Sequence, residues 1–446
     1  MSTPNILYLH SHDTGRYIQP YGYPAETPNL EQLAAGGVIF RNAFSAAPTC
    51  SPSRAAMLTG QSAHSSGMLG LAHRGFALRD PGQHLANTLR QAGYWTVLAG
   101  FQHVATEDAI EACGYLEVHH DLERAEQIAA NFLNSGPQEP FFLDAGFVET
   151  HRVGLSFGES DDEEAWIDAM AEHVQPPAPL PDLPSIRRDM AAYLASVKRL
   201  DDKIGVVLDA LETSGLAGNT LVIYTPDHGL AFPRSKGTLT DRGVGVALIA
   251  RGPGGFSGGA AIDALVSHLD LYPTICEVAG IPAPDWLQGR SLVPLVGGKS
   301  KSIRDEIFSE VTFHAAFEPM RSVRTDRWKY IRRFGNRRAP VLPNTDDSPS
   351  KETLLDLGWA EHELADEELY DLYLDPDEAN NLAGSPSSRP VLDNMRRRLD
   401  EWMAGTDDPL LEGSIPIPGV LLLNDVDGVS PSEPPDEIPG PSFEVP

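Results

Sequence analysis

"TLVIYTPDHG", Thr220–Gly229, is the stretch on which the fold turns. A short apolar, β-branched run leads into a proline and then into two titratable side chains, Asp227 and His228. A run this short and this apolar reads as a strand buried on both faces, the form strands take in a parallel sheet. The pattern recurs in "NILYLHSHD" (5–13), "WTVLAG" (95–100), "PFFLDAGFVETHR" (140–152) and "VGVALIARGP" (244–253). Helical periodicities lie between these runs. The clearest covers 187–214, where Met190, Leu194, Val197, Ile204, Val207, Leu208 and Leu211 recur at helix spacing. Alternating strands and helices predict an α/β fold with a mostly parallel central sheet flanked by helices. Ligands gather beyond the carboxyl ends of such strands. Three of the runs end there in polar clusters, "HSHD", "ETHR" and "PDHG".

The bulk composition narrows the function. The chain has 446 residues, 41% of them hydrophobic, and a formal net charge of −29. That charge disfavours nucleic acid and anionic membranes as partners. The three cysteines, Cys50, Cys113 and Cys276, form no CxxC pair, so neither a disulfide framework nor a zinc-thiolate site is signalled. "MSTPNILYLHSHD" lacks a basic leader and no run is long enough to span a bilayer, which predicts a cytoplasmic protein without a membrane partner. The predicted organisation is a catalytic domain over 1–302 and a smaller α+β subdomain over 303–405, with a small antiparallel sheet and the helix "RPVLDNMRRRLDEWMAG". A Pro- and acid-rich tail over 406–446 is expected to be extended, with "GVLLLN" as an edge strand; such a tail makes a homodimer plausible.

"CSPSRAAMLTG", Cys50–Gly60, raises a separate question. Ser51 and Pro52 read as the cap and first turn of a helix. Cys50 then sits just ahead of the helix N-terminus with Arg54 near, a setting that predicts a lowered thiol pKa. The local alternative is an ordinary buried cysteine. The motif resembles the signature of the type I sulfatases, which share the alkaline phosphatase fold. "FSAAPTCSPSRAAMLTGQSAHSSGMLGL", "PFFLDAGFVETHR", "PMRSVRTDRWKYI" and "ELYDLYLDPDEANNLAG" extend the resemblance to the sulfamidase (heparan N-sulfatase) branch, over Asn5 to Gly384. The resemblance implies an alkaline-phosphatase-like sandwich. It also implies that a formylglycine-generating enzyme reads Cys50, Pro52 and Arg54 and oxidises Cys50 to formylglycine. The hydrated aldehyde carries two hydroxyls. One attacks sulfur, and deprotonation of the other then ejects sulfate by C–O cleavage and restores the aldehyde, an exit that a plain Ser or Cys lacks.

The same resemblance assigns further residues. Cys50, His12-Asp13 and Asp227-His228 fall at the metal positions. The family usually has Asp-Asp and Asp-Asn at the two pairs and binds calcium. The two histidines open the site to manganese or zinc, because imidazole suits those ions better. Arg54 braces the formylglycine, His103 helps release sulfate, His151 touches the sulfate or leaving group, Lys236 grips sulfate oxygens, and Asp227 protonates the leaving group. Phe101 stands where the family usually has a lysine. His10, His73, Arg74, Arg152, His314 and Arg321 lie in or near predicted loops and are candidate substrate contacts, with Arg16 and Tyr17 at the rim. His119-His120 and "SDDEEAWIDAMAEH" read as surface. The predicted activity is hydrolysis of a sulfate monoester or a sulfamate of a small substrate. A phosphonate monoester or phosphodiester hydrolase is the alternative, and a non-catalytic sulfatase-like binding protein is the reading from another class.

Overall fold

The computed structural model describes residues 3–445. Its principal sheet has eight strands: β1 (Asn5–Ser11), β2 (Val38–Phe40), β3 (Trp95–Gly100), β4 (Glu117–His119), β5 (Phe141–Gly146), β6 (Thr220–Pro226), β7 (Ile249–Arg251) and β8 (Ala260–Ile262). They lie in the order β8-β2-β7-β6-β1-β5-β3-β4, with β7 alone antiparallel to its neighbours. The fold is thus an α/β sandwich around a mixed, mostly parallel sheet. β1 is central and pairs in parallel with both β5 and β6, His10 facing Gly146 and Ser11 facing Pro226. The three runs that end in polar clusters are therefore adjacent strands, and their clusters leave the sheet side by side.

Alternation along β1 sends Ile6 and Tyr8 to one face and Leu7 and Leu9 to the other. Helices α1 (Pro28–Gly36), α3 (Ala125–Asn134) and α4 (Pro184–Thr213) cover the Leu7–Leu9 face. The other face packs on α2 (Cys50–Thr59) and α5 (Leu271–Ala279). Each Leu or Ile buried on these faces contributes about 1.5–3 kcal/mol relative to exposure. Gly146, at the end of β5, is required by close approach: a Cβ there would lie 1.9 Å from the Phe101 carbonyl oxygen and 2.4 Å from the His10 ring.

The C-terminal part is a four-stranded antiparallel sheet, β9 (Ile307–Phe313), β10 (Phe317–Arg324), β11 (Trp328–Arg333) and β12 (Glu367–Asp371), with α6 (Arg389–Gly405) beside it. α6 inserts Leu392, Met395, Leu399 and Met403 into the same core that α2 and α5 build. The tail buries Leu410, Ile415, Ile417, Leu421 and Leu423 in that core too. Its "GVLLLN" does not add an edge strand to the body. Leu421–Leu423 pairs with Asp436–Ile438 inside the tail, where its backbone groups find partners that the body sheet does not offer. Among the described residues, no helix is long and apolar enough to cross a membrane.

Candidate active site

α2 begins two residues earlier than the Ser-Pro pair suggests. Thr49 occupies the cap position and Cys50 is the first helical residue. Every residue of α2 is buried, and Cys50 itself is 3% exposed. Its thiol pKa is raised well above the usual value, contrary to the expectation from the helix dipole. Burial is the main cause; Lys236 and Arg54 pull the pKa down, and the carboxylates of Asp227 and Asp13 push it up. The Sγ lies 3.5 Å from His228 Nε2 and 3.8 Å from His12 Nδ1.

Around the thiol, the ends of β1 and β6 deliver two carboxylates and two imidazoles. Asp13 sits in the left-handed backbone region at φ 53°, which turns its side chain back over the sheet end. A non-glycine residue there costs about 1–3 kcal/mol, a cost typical of functional sites. Asp227 Oδ1 accepts the backbone N–H groups of Asp13 and His228, both at 2.9 Å. Its Oδ2 accepts Arg54 Nη2 at 3.0 Å and lies 3.3 Å from His12 Nδ1. Asp13 Oδ2 receives Lys236 Nζ at 3.1 Å and lies 2.8 Å from His151 Nδ1. Asp13 Oδ1 is buried without a well-aligned hydrogen bond, although His228 Nε2 is 3.2 Å away. One donor atom from each of His12, Asp13, Cys50 and Asp227 falls within 4.8 Å of the others.

This donor set fits a divalent cation. Two fully buried carboxylates converge, one of them with an orphaned oxygen, and burial holds His12 neutral with its pKa down to about 3, as a ligand must be. Burial alone would raise both carboxyl pKa values; Lys236 and His228 pull Asp13 well below the usual range, and His228 and Arg54 do the same for Asp227. The buried neutral histidines carry a stability consequence. His12, His268 and His314 are each lowered to about 3, chiefly by burial, from an ordinary 6.5. Between those values the unfolded chain binds a proton that the folded chain refuses. Stability therefore falls as pH drops through that window, by about 1.4 kcal/mol per pH unit for each histidine. Urea midpoints of the metal-free protein should drop between about pH 7 and about pH 5, and an unchanged midpoint would contradict this.

Arg54 is held from behind. His10 Nδ1 meets Arg54 Nη1, His10 Nε2 lies 2.8 Å from Asp144 Oδ1, and Tyr115 donates to the other Asp144 oxygen. The Asp144 carboxylate fixes the Nε2–H tautomer, which leaves Nδ1 to accept from the guanidinium. Asp144→Asn should loosen Arg54 and lower turnover about 10–100-fold, with the thermal midpoint as the control for folding. The Phe101 ring packs 4.9 Å from the Arg54 guanidinium carbon and 4.6 Å from the His12 ring. His103 places a ring nitrogen within 4.8 Å of the ligand atoms of His12 and Cys50. His73 Nδ1 supports His103 Nε2 at 2.8 Å, and the exposed His73 ring is nearly coplanar with it, at 6°.

Comparison with known proteins now identifies the site. The family described as Sulfatase matches residues 4–281, and N-sulphoglucosamine sulphohydrolase, C-terminal, matches residues 234–352. Human N-sulphoglucosamine sulphohydrolase is 31% identical over 458 residues, covering 91% of each chain. The chain is a type I sulfatase. Within the alkaline phosphatase superfamily this sulfatase stands close to the sulfamidase branch, and it is a sulfuric ester or sulfamate hydrolase with Cys50 at its active site. It is also 28% identical to an ulvan-active sulfatase of Formosa agariphila, over 91% of this chain and 75% of that one. The phosphonate monoester hydrolase of Silicibacter pomeroyi superposes with a TM-score of 0.67 at 22% identity, covering 92% of this chain and 97% of that one; the likeness is one of fold.

Several side chains do other work in the sulfatase than contacting substrate. Arg152 is clamped by both oxygens of Asp189 at 2.8 Å and lies over the Phe157 and Phe232 rings. Arg321 is fully buried between Asp408 and Glu310. Arg74 braces the tail through Asn424 Oδ1 at 2.7 Å and the carbonyls of Leu422 and Pro431. The Arg152 and Arg321 guanidiniums are paired with buried carboxylates, whereas Arg74 is held by an amide and backbone carbonyls. His10 is likewise buried in β1 behind Arg54. Arg16 turns to the Ala43 carbonyl and the Phe44 ring, and Tyr17 packs on Tyr23. His314 is buried near Lys236, with Nδ1 3.2 Å from the Asn344 carbonyl. Sequence reasoning missed Asp144 and Asp346. Asp346 receives Lys236 Nζ at 2.9 Å. Its sole sequence signal is an acidic pair in the polar loop "NTDDSPS".

Proposed function

We propose that this sulfatase acts on an N-sulfonated amine, a sulfamate of a small amino sugar, and that its ion is manganese or zinc. One observation carries the substrate reading. The N-sulphoglucosamine sulphohydrolase C-terminal match begins beside Lys236 and runs past His314 to Asp346, the residues that the C-terminal half brings to the site.

In this reading a formylglycine-generating enzyme converts Cys50 before the site closes, because the folded thiol is 3% exposed. The formylglycine supplies a hydrated aldehyde as nucleophile and a release step by C–O cleavage. His12, Asp13, Asp227 and His228 would hold the divalent ion, which supplies charge against the sulfate oxygens and eases loss of the attacking hydroxyl's proton. The rest falls to the chain's own side chains. Arg54 orients Asp227 and residue 50. Lys236, kept charged by Asp13 and Asp346, meets the sulfate. His151, half-exposed at the mouth with Nδ1 on Asp13, faces the leaving group. His103, neutral through burial, stands ready to take a proton from the residue-50 hydroxyl during release.

The His12 imidazole in the donor cluster, with His228 beside it at 3.2 Å from Asp13, favours an ion that accepts nitrogen. Elemental analysis of protein purified without chelator should find one manganese or zinc ion per chain; calcium alone would overturn the ion assignment. The substrate reading is tested on a panel of sulfamate, aryl sulfate, phosphonate monoester and phosphodiester. The sulfamate should give the highest kcat/KM. Preference for the phosphonate would favour the other reading, which the Asp227-His228 pair and the absence of a lysine at Phe101 motivate.

A further inference from the structure

Asp346 is out of place in a site for an anion. The sulfate must sit between Lys236, Arg54 and the metal ligands, yet a third carboxylate stands against Lys236. The other two, Asp13 and Asp227, are fully buried and point at the donor cluster. Asp346 comes from the C-terminal part, its side chain is 18% exposed, and it is the carboxylate of the three that reaches outward. Lys236 Nζ bonds Asp346 Oδ2 at 2.9 Å and Asp13 Oδ2 at 3.1 Å, so one ammonium bridges the ligand cluster and the mouth. Among the described residues no donor bonds Asp346 Oδ1, and that atom is not sealed from solvent either. Lys236 and His151 keep the carboxyl ionised against the effect of burial.

An ionised carboxylate beside a bound sulfate is repulsive, and Lys236 Nζ shares its hydrogen bonds with it. The arrangement becomes favourable when the substrate brings a hydrogen-bond donor to the free oxygen. Among the described residues, the side chains stacked beside His12 at the site, Phe101, His103, His151 and, through His103, His73, are rings and supply no carboxylate for that purpose. The scissile sulfur occupies the depth of the site, next to Cys50, so the group passing the mouth is the leaving group.

We infer that Asp346 is a specificity-determining residue whose free oxygen accepts a hydrogen from the substrate's leaving group, selecting an N–H-bearing sulfamate over the sulfate ester that carries oxygen at the same position. The inference rests on the proposed function and sharpens it. A site built around such a donor discriminates strongly against the analogue lacking it, because its own polar group is then left unpaired. Removing Asp346 has opposite consequences for the two substrates. The sulfamate loses its acceptor. The ester loses a repulsive neighbour and meets a Lys236 that Asp13 alone still holds.

The test compares converted wild-type enzyme with Asp346→Ala on glucosamine N-sulfate and glucose 2-sulfate, which differ in the bridging N–H. Asp346→Asn serves as the neutral variant that keeps the shape, and the thermal midpoint serves as the folding control. Asp346→Ala should lower kcat/KM for the N-sulfate at least about tenfold more than for the ester, so that the preference for the N-sulfate is lost. A parallel fall on both substrates would mean that Asp346 acts only through Lys236, and would overturn the inference while leaving the proposed function standing. Turnover of neither substrate by the wild type, with turnover of a phosphonate monoester, would overturn the proposed function and this inference with it.

Discussion

Cys50→Ala should abolish turnover, a fall of at least about 10⁴-fold, while the protein still folds and still binds a divalent ion. The substitution removes the sulfur whose replacement by oxygen turns the residue-50 Cβ into the aldehyde carbon, so no carbonyl can form there. Every other group at the site is a binding or proton-handling group, and none can form the covalent intermediate. The fold tolerates the change because alanine keeps the Cβ of a residue that heads α2, and the helix is held by Ala55, Met57 and Leu58 in the core, not by the thiol. The loss should appear in kcat, with substrate binding retained through Lys236 and Arg54. Retained activity in this variant would refute the covalent route.

Asp13→Asn should cost nearly as much, through the metal. Asp13 is the hub of the site. One oxygen takes Lys236 and faces His151, and the other is aimed at the donor cluster without a well-aligned hydrogen bond. An amide in its place halves the anionic charge offered to the ion and puts an N–H where a lone pair is needed. Metal affinity should fall at least about 100-fold, the upper end of what even outer ligand partners cost, and turnover should recover partly at high metal concentration. Calorimetric titration of the metal-free variant reads the affinity directly. An unchanged affinity would show that Asp13 is not a ligand. The Lys236 ammonium would keep Asp346 as its counter-ion, so a collapse of the fold is not expected.

Much of this geometry is legible in the chain because it rests on local patterns. The strand ends at "HSHD", "ETHR" and "PDHG" mark the site, since adjacent parallel strands must release their clusters on one side. The long helix, read over 187–214, runs Pro184–Thr213 in the structure, extended to a proline that periodicity does not register. The failures share a different cause. Arg74, Arg152 and Arg321 look like binding residues in a sequence because their partners are remote: Asn424, Asp189 and Asp408. A buried arginine and a substrate-binding arginine have the same letter, and only the partner that meets it, a carboxylate for Arg152 and Arg321 and an amide for Arg74, tells what it does. The Cys50 thiol pKa was misjudged for a related reason. The helix start is local, whereas the burial and the carboxylates that raise the pKa are tertiary. Asp346 escaped notice because a lone acid in a loop carries no pattern at all.

Catalysis depends on what residue 50 is in the working enzyme. Mass spectrometry of the peptide containing Cys50, taken from protein co-produced with a formylglycine-generating enzyme and shown to be active, tests it most directly. The peptide should be about 18 Da lighter than the thiol form, the sulfur and two hydrogens having given way to one oxygen. A fully active preparation whose peptide carries the unmodified thiol mass would contradict the mechanism at its first step.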